Sequence, residues 1–189
     1  MTPTHRLPAA LCLLALAIPA SASAFDFFGL GKSTEPPKPG LRPASYTNAS
    51  TPERVDRIVV KKTERRLYLM HGDEIVRSYK VALGYQPKGH KQRQGDGRTP
   101  EGRYLIDAKN GGSRFRKALH ISYPSITDRL RAANRGKDPG GSIMIHGQPN
   151  GRTFKKDGDW TFGCIAVSNM EIDEIHNDVD VGTPIEILP

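Results

Sequence analysis

Short apolar runs separated by turn residues constrain the fold of this chain more than any other feature of its sequence. Three of them follow one another at 57–62 (RIVVKK), 66–70 (RLYLM) and 75–83 (IVRSYKVAL). Each is rich in β-branched or aromatic residues, and Gly72-Asp73 between the second and third is a turn signal. The pattern predicts three strands joined as an antiparallel meander.

The rest of the chain continues this pattern with one or two short helices. Further strands are predicted at 103–108, 118–123, 142–146, 164–168 and 183–188. Helices are predicted at 127–134 and 169–179, and Ser168 with Glu171 three residues later has the spacing of a capping box. Residues 84–102 are dense in glycine, proline and basic side chains and predict a long loop, which in a compact domain is usually functional. The fold class is therefore mostly β.

The N-terminal residues have the organisation of a secretory signal. Arg6 supplies a positive charge, residues 7–19 are apolar but too few to span a bilayer, and Ala-Ser-Ala at 22–24 forms a cleavage site. Residues 25–52 contain several prolines and no periodicity. We therefore predict a signal peptide at 1–24, a linker or lead-in at 25–52 and one folded domain at 53–189. A retained membrane anchor is the alternative.

Export makes the cysteine count informative. The chain has two cysteines, and Cys12 would leave with the signal, so Cys164 would be the one thiol of the mature protein. Exported proteins usually pair their cysteines. A single remaining cysteine is an inert buried thiol, an intermolecular disulfide or a reactive nucleophile.

The formal net charge of +8 limits the possible partners. A basic exported protein suits anionic lipid or an acidic cell-wall polymer. Nucleic acid is not expected as a partner outside the cytoplasm, and no membrane span is expected once the signal is cleaved.

The predicted strands at 142–146 and 164–168 carry a histidine and a cysteine at their facing ends. Side chains alternate along a strand, so His146 points with Met144, and Cys164 points with Ala166. If the two strands are neighbours, imidazole and thiol meet at one end of the sheet, where a base raises the thiolate fraction. Gly163 allows close approach of the backbone, and the amides of Gly163 and Cys164 are candidate oxyanion donors.

His146, fourteen residues and then Thr161-Phe162-Gly163-Cys164 resembles the motif of the L,D-transpeptidase catalytic domain (YkuD type). In that family a histidine is followed, after a spacer of similar length, by Ser/Thr-His-Gly-Cys. The run GDGRTPEG at 95–102 also looks like the segment that precedes the catalytic region of this family. The resemblance covers roughly Val55 to Leu188 and implies a β-sandwich fold.

The resemblance implies an enzyme of peptidoglycan stem peptides in the periplasm or cell wall. Cys164 would be the nucleophile and His146 the base, and a thioester would be resolved by an amine of diaminopimelate or of a lipoprotein lysine. No metal or organic cofactor would be needed. Trp160, Thr161, Tyr123 and Arg98 are the candidate substrate contacts, although Trp160 and Arg98 equally suit fixing a loop or turn.

Two positions depart from the family pattern and leave the acyl acceptor open. Phe162 stands where histidine is usual, and Ala166 stands where arginine is usual. The run Asp159 to Val167 is similar to a branch that includes an endopeptidase releasing Braun-type lipoprotein, so hydrolysis is the alternative reaction. A non-catalytic wall-binding module and a disulfide-linked dimer through Cys164 are further alternatives, but neither explains the paired His146.

Overall fold

The computed structural model describes residues 54–151 and 157–189. The predicted signal peptide and linker lie outside the described residues. Within the described residues there are eight strands and two helices. The strands are β1 (Arg57–Lys61), β2 (Arg66–His71), β3 (Glu74–Lys80), β4 (Gly102–Ser113), β5 (Arg116–Ile121), β6 (Met144–His146), β7 (Ile165–Ala166) and β8 (Pro184–Leu188). The helices are α1 (Ile126–Ala133) and α2 (Asn169–Asp178).

The strands form one sheet in the order β3-β2-β1-β8-β4-β5-β6-β7. The predicted meander of β1, β2 and β3 is confirmed, since both of its pairings are antiparallel. The last strand, β8, inserts beside β1 in parallel. The long strand β4 pairs through Gly102–Leu105 with β8 and through 106–113 with β5. β4 therefore joins a first half of the sheet, formed by β3, β2, β1 and β8, to a second half, formed by β5, β6 and β7.

The two ends of this strand order are brought together. Just after β3, Ala82 exchanges two backbone hydrogen bonds with Ala166 of β7, at 2.9 and 2.8 Å. Thr161 N–H donates to the Leu83 carbonyl at 3.0 Å, and Tyr85 N–H donates to the Thr161 carbonyl at 2.9 Å. The sheet thus curls until its edges meet, which agrees with the predicted mostly-β, sandwich-like class.

A single hydrophobic cluster fills the space inside the curled sheet. Its members come from both halves, including Ile58 of β1, Leu119 of β5 and Ile145 of β6, each with no exposed surface. Alternation places these side chains inward while their chain neighbours face outward. Burial on this common inner face explains why short, β-branched runs form one sheet instead of separate hairpins.

Both helices begin with a capping box. The box at Ser168 and Glu171 was predicted and is confirmed: the Glu171 N–H donates to Ser168 Oγ and the Ser168 N–H to the Glu171 carboxylate. A second box at Ser125 and Asp128 starts α1. In each box two N–H groups at the helix start are satisfied by side chains. No helix in the described ranges is both long and apolar enough to cross a membrane.

Candidate active site

A cavity of about 670 Å³ opens where β6, β7 and the β4–β5 hairpin meet. Its walls include His146 and Cys164, the two residues that the sequence pairs as base and nucleophile. They also include Ser113, Arg114, Phe115, Ser142, Met144, Trp160, Thr161 and Phe162. The loop after β6 is tied to the hairpin, because the Asn150 amide donates to the Ser113 carbonyl at 3.0 Å and its backbone N–H to the Arg114 carbonyl at 2.9 Å.

The predicted neighbourhood of the two strands is confirmed. β6 and β7 pair in parallel, with Ile145 opposite Ile165 and His146 opposite Ala166. Paired residues project to the same side of a sheet, so Cys164, one position before β7, shares the side of His146. The core side is taken by Ile145 and Ile165, both fully buried.

The environment of His146 fixes one nitrogen and leaves the other for chemistry. Its Nδ1 lies 2.7 Å from the Gly147 carbonyl oxygen. A carbonyl only accepts, so Nδ1 carries the proton and Nε2 is the acceptor. The ring lies against Phe115 at a centroid distance of 4.6 Å and meets Trp160 edge-on at 5.9 Å. Burial lowers the pKa of His146, although the Gly147 hydrogen bond opposes the shift.

Burial favours the neutral form of the Cys164 thiol. Its Sγ lies 3.6 Å from the Ser142 carbonyl oxygen, to which the thiol donates. Burial raises the pKa of Cys164, while a backbone hydrogen bond from Met144 and the positive charge of Lys91 act in the opposite direction. No hydrogen bond joins Sγ to His146 among the described residues, and catalytic contacts are often long before substrate binds.

The turn that carries Cys164 is held by a hydroxyl group. Thr161 Oγ1 accepts from the Gly163 N–H at 3.1 Å and donates to the Cys164 carbonyl at 2.6 Å. Gly163 has φ 127°, and a Cβ there would lie 2.7 Å from the Arg98 carbonyl oxygen, so only glycine fits. Of the two predicted oxyanion donors, the Gly163 N–H is thus engaged, whereas that of Cys164 makes no hydrogen bond within the described residues.

Trp160 forms one wall of the cavity and is positioned by its neighbour. The Asp159 carboxylate accepts from Arg65 Nε and Nη2, the latter at 2.8 Å, and from the Leu83 N–H at 2.9 Å. These bonds tie the segment before Trp160 to the β1–β2 turn and to the chain after β3.

Two predicted substrate contacts lie outside the cavity. Tyr123 is buried, its hydroxyl donates to the Pro139 carbonyl at 3.1 Å, and its ring packs edge-on against Tyr104. Arg98 lines a separate hollow and its guanidinium donates to the His90 carbonyl at 3.5 Å, although its own backbone carbonyl lies directly against Gly163. The structure therefore groups Trp160 and Thr161 with the cysteine and histidine, and separates Tyr123 and Arg98 from them.

The two departures from the family pattern have different surroundings. Phe162 is 78% exposed at the cavity and packs edge-on against Tyr85 at 5.7 Å. Ala166 is buried and lines a neighbouring hollow that Trp160 separates from the cavity. Among the described residues that line the cavity, Arg114 is the one with a permanently positive side chain.

Sequence reasoning missed Phe115, Asp159 and Lys91 as parts of this environment. Lys91 is buried and pairs with Asp96 at 2.9 Å. A buried lysine in a long polar loop indicates a functional site, but the sequence does not show that Lys91 is buried. No cluster of three or more His, Cys, Asp or Glu side chains that could hold a metal occurs in the described part of the chain.

Comparison with known proteins identifies similar chains. A family model described as the L,D-transpeptidase catalytic domain (YkuD) matches residues 55–187. The Escherichia coli K12 protein named "Putative L,D-transpeptidase YafK" is 34% identical over 124 residues, 62% of this chain and 44% of that protein.

Two solved structures are also similar. The helical cell shape determining protein Pgp2 of Campylobacter jejuni has a TM-score of 0.56 at 28% identity, over 71% of this chain and 48% of that chain. Bd1075 of Bdellovibrio bacteriovorus has a TM-score of 0.50 at 23% identity over the same shares, a likeness in fold alone. This chain thus spans about half the length of the proteins that it matches.

Proposed function

Because this chain belongs to the family of L,D-transpeptidase catalytic domains, matched over residues 55–187, we propose that it transfers acyl groups of peptidoglycan stem peptides. One observation carries the proposal: His146 and Cys164 line the same cavity, and the Gly147 carbonyl fixes His146 in the tautomer whose Nε2 can accept a proton. The substrate places the protein in the periplasm or cell wall.

In the first half of the reaction Cys164 takes the acyl group. Its Sγ attacks the carbonyl carbon of the diamino-acid residue that precedes a terminal D-alanine, and the thiol proton passes to His146 Nε2. The Cys164 N–H, which makes no hydrogen bond within the described residues, would stabilise the oxyanion. Collapse of the tetrahedral intermediate breaks the peptide bond, and the D-alanine amine leaves with the proton from His146. A thioester on Cys164 remains.

In the second half an amine resolves the thioester. His146 accepts a proton from the attacking amine, an amide forms and the Cys164 thiolate leaves and is reprotonated. A diaminopimelate amine gives a 3-3 cross-link, and a lipoprotein lysine gives an anchored lipoprotein. These steps need no cofactor.

Hydrolysis of the same bond is the second candidate. Phe162 and Ala166 offer no polar group to hold an amine acceptor, whereas water needs little positioning. With water as acceptor the protein would be a carboxypeptidase, or an endopeptidase that releases peptidoglycan-linked lipoprotein.

The test is turnover of tetrapeptide muropeptides and of lipoprotein-linked muropeptides, with products identified by mass. We expect 3-3 dimers from a transpeptidase, and only trimmed or lipoprotein-free muropeptides from a hydrolase.

Cys164→Ala should abolish turnover with the fold intact, and His146→Gln should lower kcat by about 10²–10⁴-fold. Turnover that persists in Cys164→Ala would exclude the cysteine mechanism. A non-catalytic module would bind muropeptides without turning them over, whether or not Cys164 is present.

A further inference from the structure

A second hollow, of about 480 Å³, lies on the far side of the Tyr85–Phe162 ring pair from the cavity of Cys164. Phe162 lines the cavity, and Tyr85 lines the hollow. Four cationic residues line it, and we call it the basic pocket: Arg93, Arg98, Arg135 and Lys137.

The positive charge of the basic pocket is not neutralised by the protein. Within the described ranges none of these four side chains makes an ion pair with a carboxylate. Asp96 also lines the pocket, but its carboxylate is used by Lys91 Nζ at 2.9 Å and by the backbone N–H groups of Gln92, Arg93 and Arg98. Burial acts to raise the pKa of Asp96, but its hydrogen bonds from the backbone and from Lys91 together hold that pKa below its usual value, which favours an ionised carboxylate that is already engaged.

The two segments that supply the cations are fixed to each other. The Gln94 N–H donates to the Asp138 carbonyl at 2.8 Å, which joins the 84–102 loop to the chain after α1. At the end of α1, the N–H groups of Arg135 and Lys137 both donate to the Ala132 carbonyl, at 3.0 and 2.9 Å. Gly136 between them has φ 61°, the left-handed conformation of a helix C-terminus.

Helix-end electrostatics explain two of the four cations of the basic pocket but not the other two. Arg135 and Lys137 follow the C-terminus of a helix, where cations are favoured by the exposed carbonyl groups. Arg93 and Arg98 come from a loop, and their guanidinium groups donate only long hydrogen bonds to the carbonyls of Gln94, at 3.4 Å, and His90, at 3.5 Å. Four like charges around one concavity repel. An anionic ligand in the pocket removes that repulsion.

The basic pocket is within reach of a substrate held at Cys164. The Arg98 carbonyl oxygen lies against Gly163, the residue before the nucleophile. The packed Tyr85–Phe162 pair contributes one ring to each hollow, and the side-chain carboxylate of the diamino acid stands six bonds from the acyl carbon that Cys164 would attack. One stem peptide can therefore lie across Phe162 and occupy both.

We propose that the basic pocket binds a free carboxylate of the peptide whose acyl carbon reacts at Cys164, namely the side-chain carboxylate of the diamino acid. This rests on the proposed function. Guanidinium groups bind carboxylates through paired hydrogen bonds, and three of the four cations that line the pocket are arginines.

The test is binding of a disaccharide-tetrapeptide to the full chain carrying Cys164→Ser, measured by calorimetry. The same peptide with the diamino-acid carboxylate amidated is the comparison ligand. Arg135→Gln with Lys137→Gln should raise the Kd for the carboxylate peptide about tenfold and leave that for the amidated peptide nearly unchanged. Arg66→Gln with Arg129→Gln removes two exposed cations elsewhere and should change neither Kd.

Three results would overturn the proposal: equal affinity of the pocket variant and the control for the carboxylate peptide, equal weakening of both peptides, or no measurable binding of the carboxylate peptide. The melting temperature of each variant by circular dichroism separates misfolding from lost binding. If misfolding occurs, Arg98→Lys against Arg98→Gln gives the same comparison. Failure of the proposed function is a different result, because it appears as absent turnover by the unmodified Cys164 protein.

Discussion

At the scale of single residues, burial favours one charge state for each member of the proposed catalytic pair. It raises the pKa of the Cys164 thiol and lowers that of the His146 imidazole. Both shifts favour the neutral forms, so we expect a neutral thiol and a neutral imidazole near pH 7 rather than an ion pair. The rate of alkylation of Cys164 by iodoacetamide should therefore be low at neutral pH and rise towards alkaline pH as thiolate forms.

Turnover should be lost at acid pH, where His146 becomes protonated and can no longer accept a proton. The depressed pKa keeps His146 neutral to lower pH than an ordinary histidine, so activity should persist below pH ~6.5 and fall when the imidazole is finally protonated. His146→Gln is the control, since its residual activity should lack this acid limb. Fast alkylation that stays constant down to pH 5 would instead demonstrate a resting thiolate and contradict the prediction.

Thr161 is expected to act by positioning the turn that carries Cys164. Thr161→Val keeps the shape but removes the acceptor for the Gly163 N–H and the donor to the Cys164 carbonyl. Leaving these buried groups unpaired should lower the free energy of unfolding by about 1–3 kcal/mol and reduce kcat. Thr161→Ser keeps the hydroxyl and should restore most of both, as measured by urea unfolding and muropeptide turnover. Equal losses in the two variants would mean that the methyl group, not the hydroxyl, matters.

Strand alternation was enough to place His146 and Cys164 on one side of the sheet, because it depends only on the period of the backbone. It could not show that Thr161 engages the Gly163 amide, since that bond depends on the conformation of an irregular turn. For the same reason Tyr123 and Arg98 could be selected as polar residues near the motif, but their distance from the cavity could not be derived from spacing.

At the scale of elements, the Arg65–Asp159 pair should control the wall formed by Trp160. Asp159→Ala removes the acceptor of the Leu83 N–H and leaves Arg65 unpaired, so we expect a loss of about 1–3 kcal/mol in the free energy of unfolding. The chain has one tryptophan, and its emission should shift to the red as Trp160 becomes more exposed.

A double-mutant cycle distinguishes a specific tie from general damage. In an Arg65→Gln background Asp159→Ala should cost less, because the ion pair is already lost. Asp157→Ala, at an exposed position in the same segment, is the matched control and should leave stability and emission unchanged. Strictly additive losses would contradict the coupling of these two residues.

The sequence predicted most elements but not all of their lengths. The fourth strand was predicted at 103–108, and Gly111-Gly112 follow that range, where glycine weakens a strand. β4 continues to Ser113 with a shift of register between Asn110 and Ser113, and this extension brings the hairpin to the cavity. The strands around the site are shorter than predicted, Met144–His146 and Ile165–Ala166, since their flanking residues turn away to form the cavity.

At the scale of the whole molecule, strand order was beyond the reach of local patterns. The parallel insertion of β8 between β1 and β4, and the meeting of Ala82 with Ala166, join residues far apart in sequence. Hydrophobic periodicity states which side chains turn inward but not which strands become neighbours. The mostly-β class was therefore predictable from the residues, whereas the closure of the sheet that builds the cavity was not.

Closure of the sheet around one core predicts that its halves unfold together. Ile58→Val in the first half and Ile145→Val in the second each remove one methylene from a fully buried side chain and should cost about 0.5–1.5 kcal/mol. Far-UV circular dichroism reports on the whole sheet, while the emission of Trp160 reports on the second half. Both signals should shift to the same lower urea midpoint in both variants. Ile75→Val, at a 58% exposed position of β3, is the control and should leave the midpoint in place. If Ile58→Val moves the dichroism transition but not the Trp160 transition, the halves are separate folding units and the cavity does not depend on the first half for its stability.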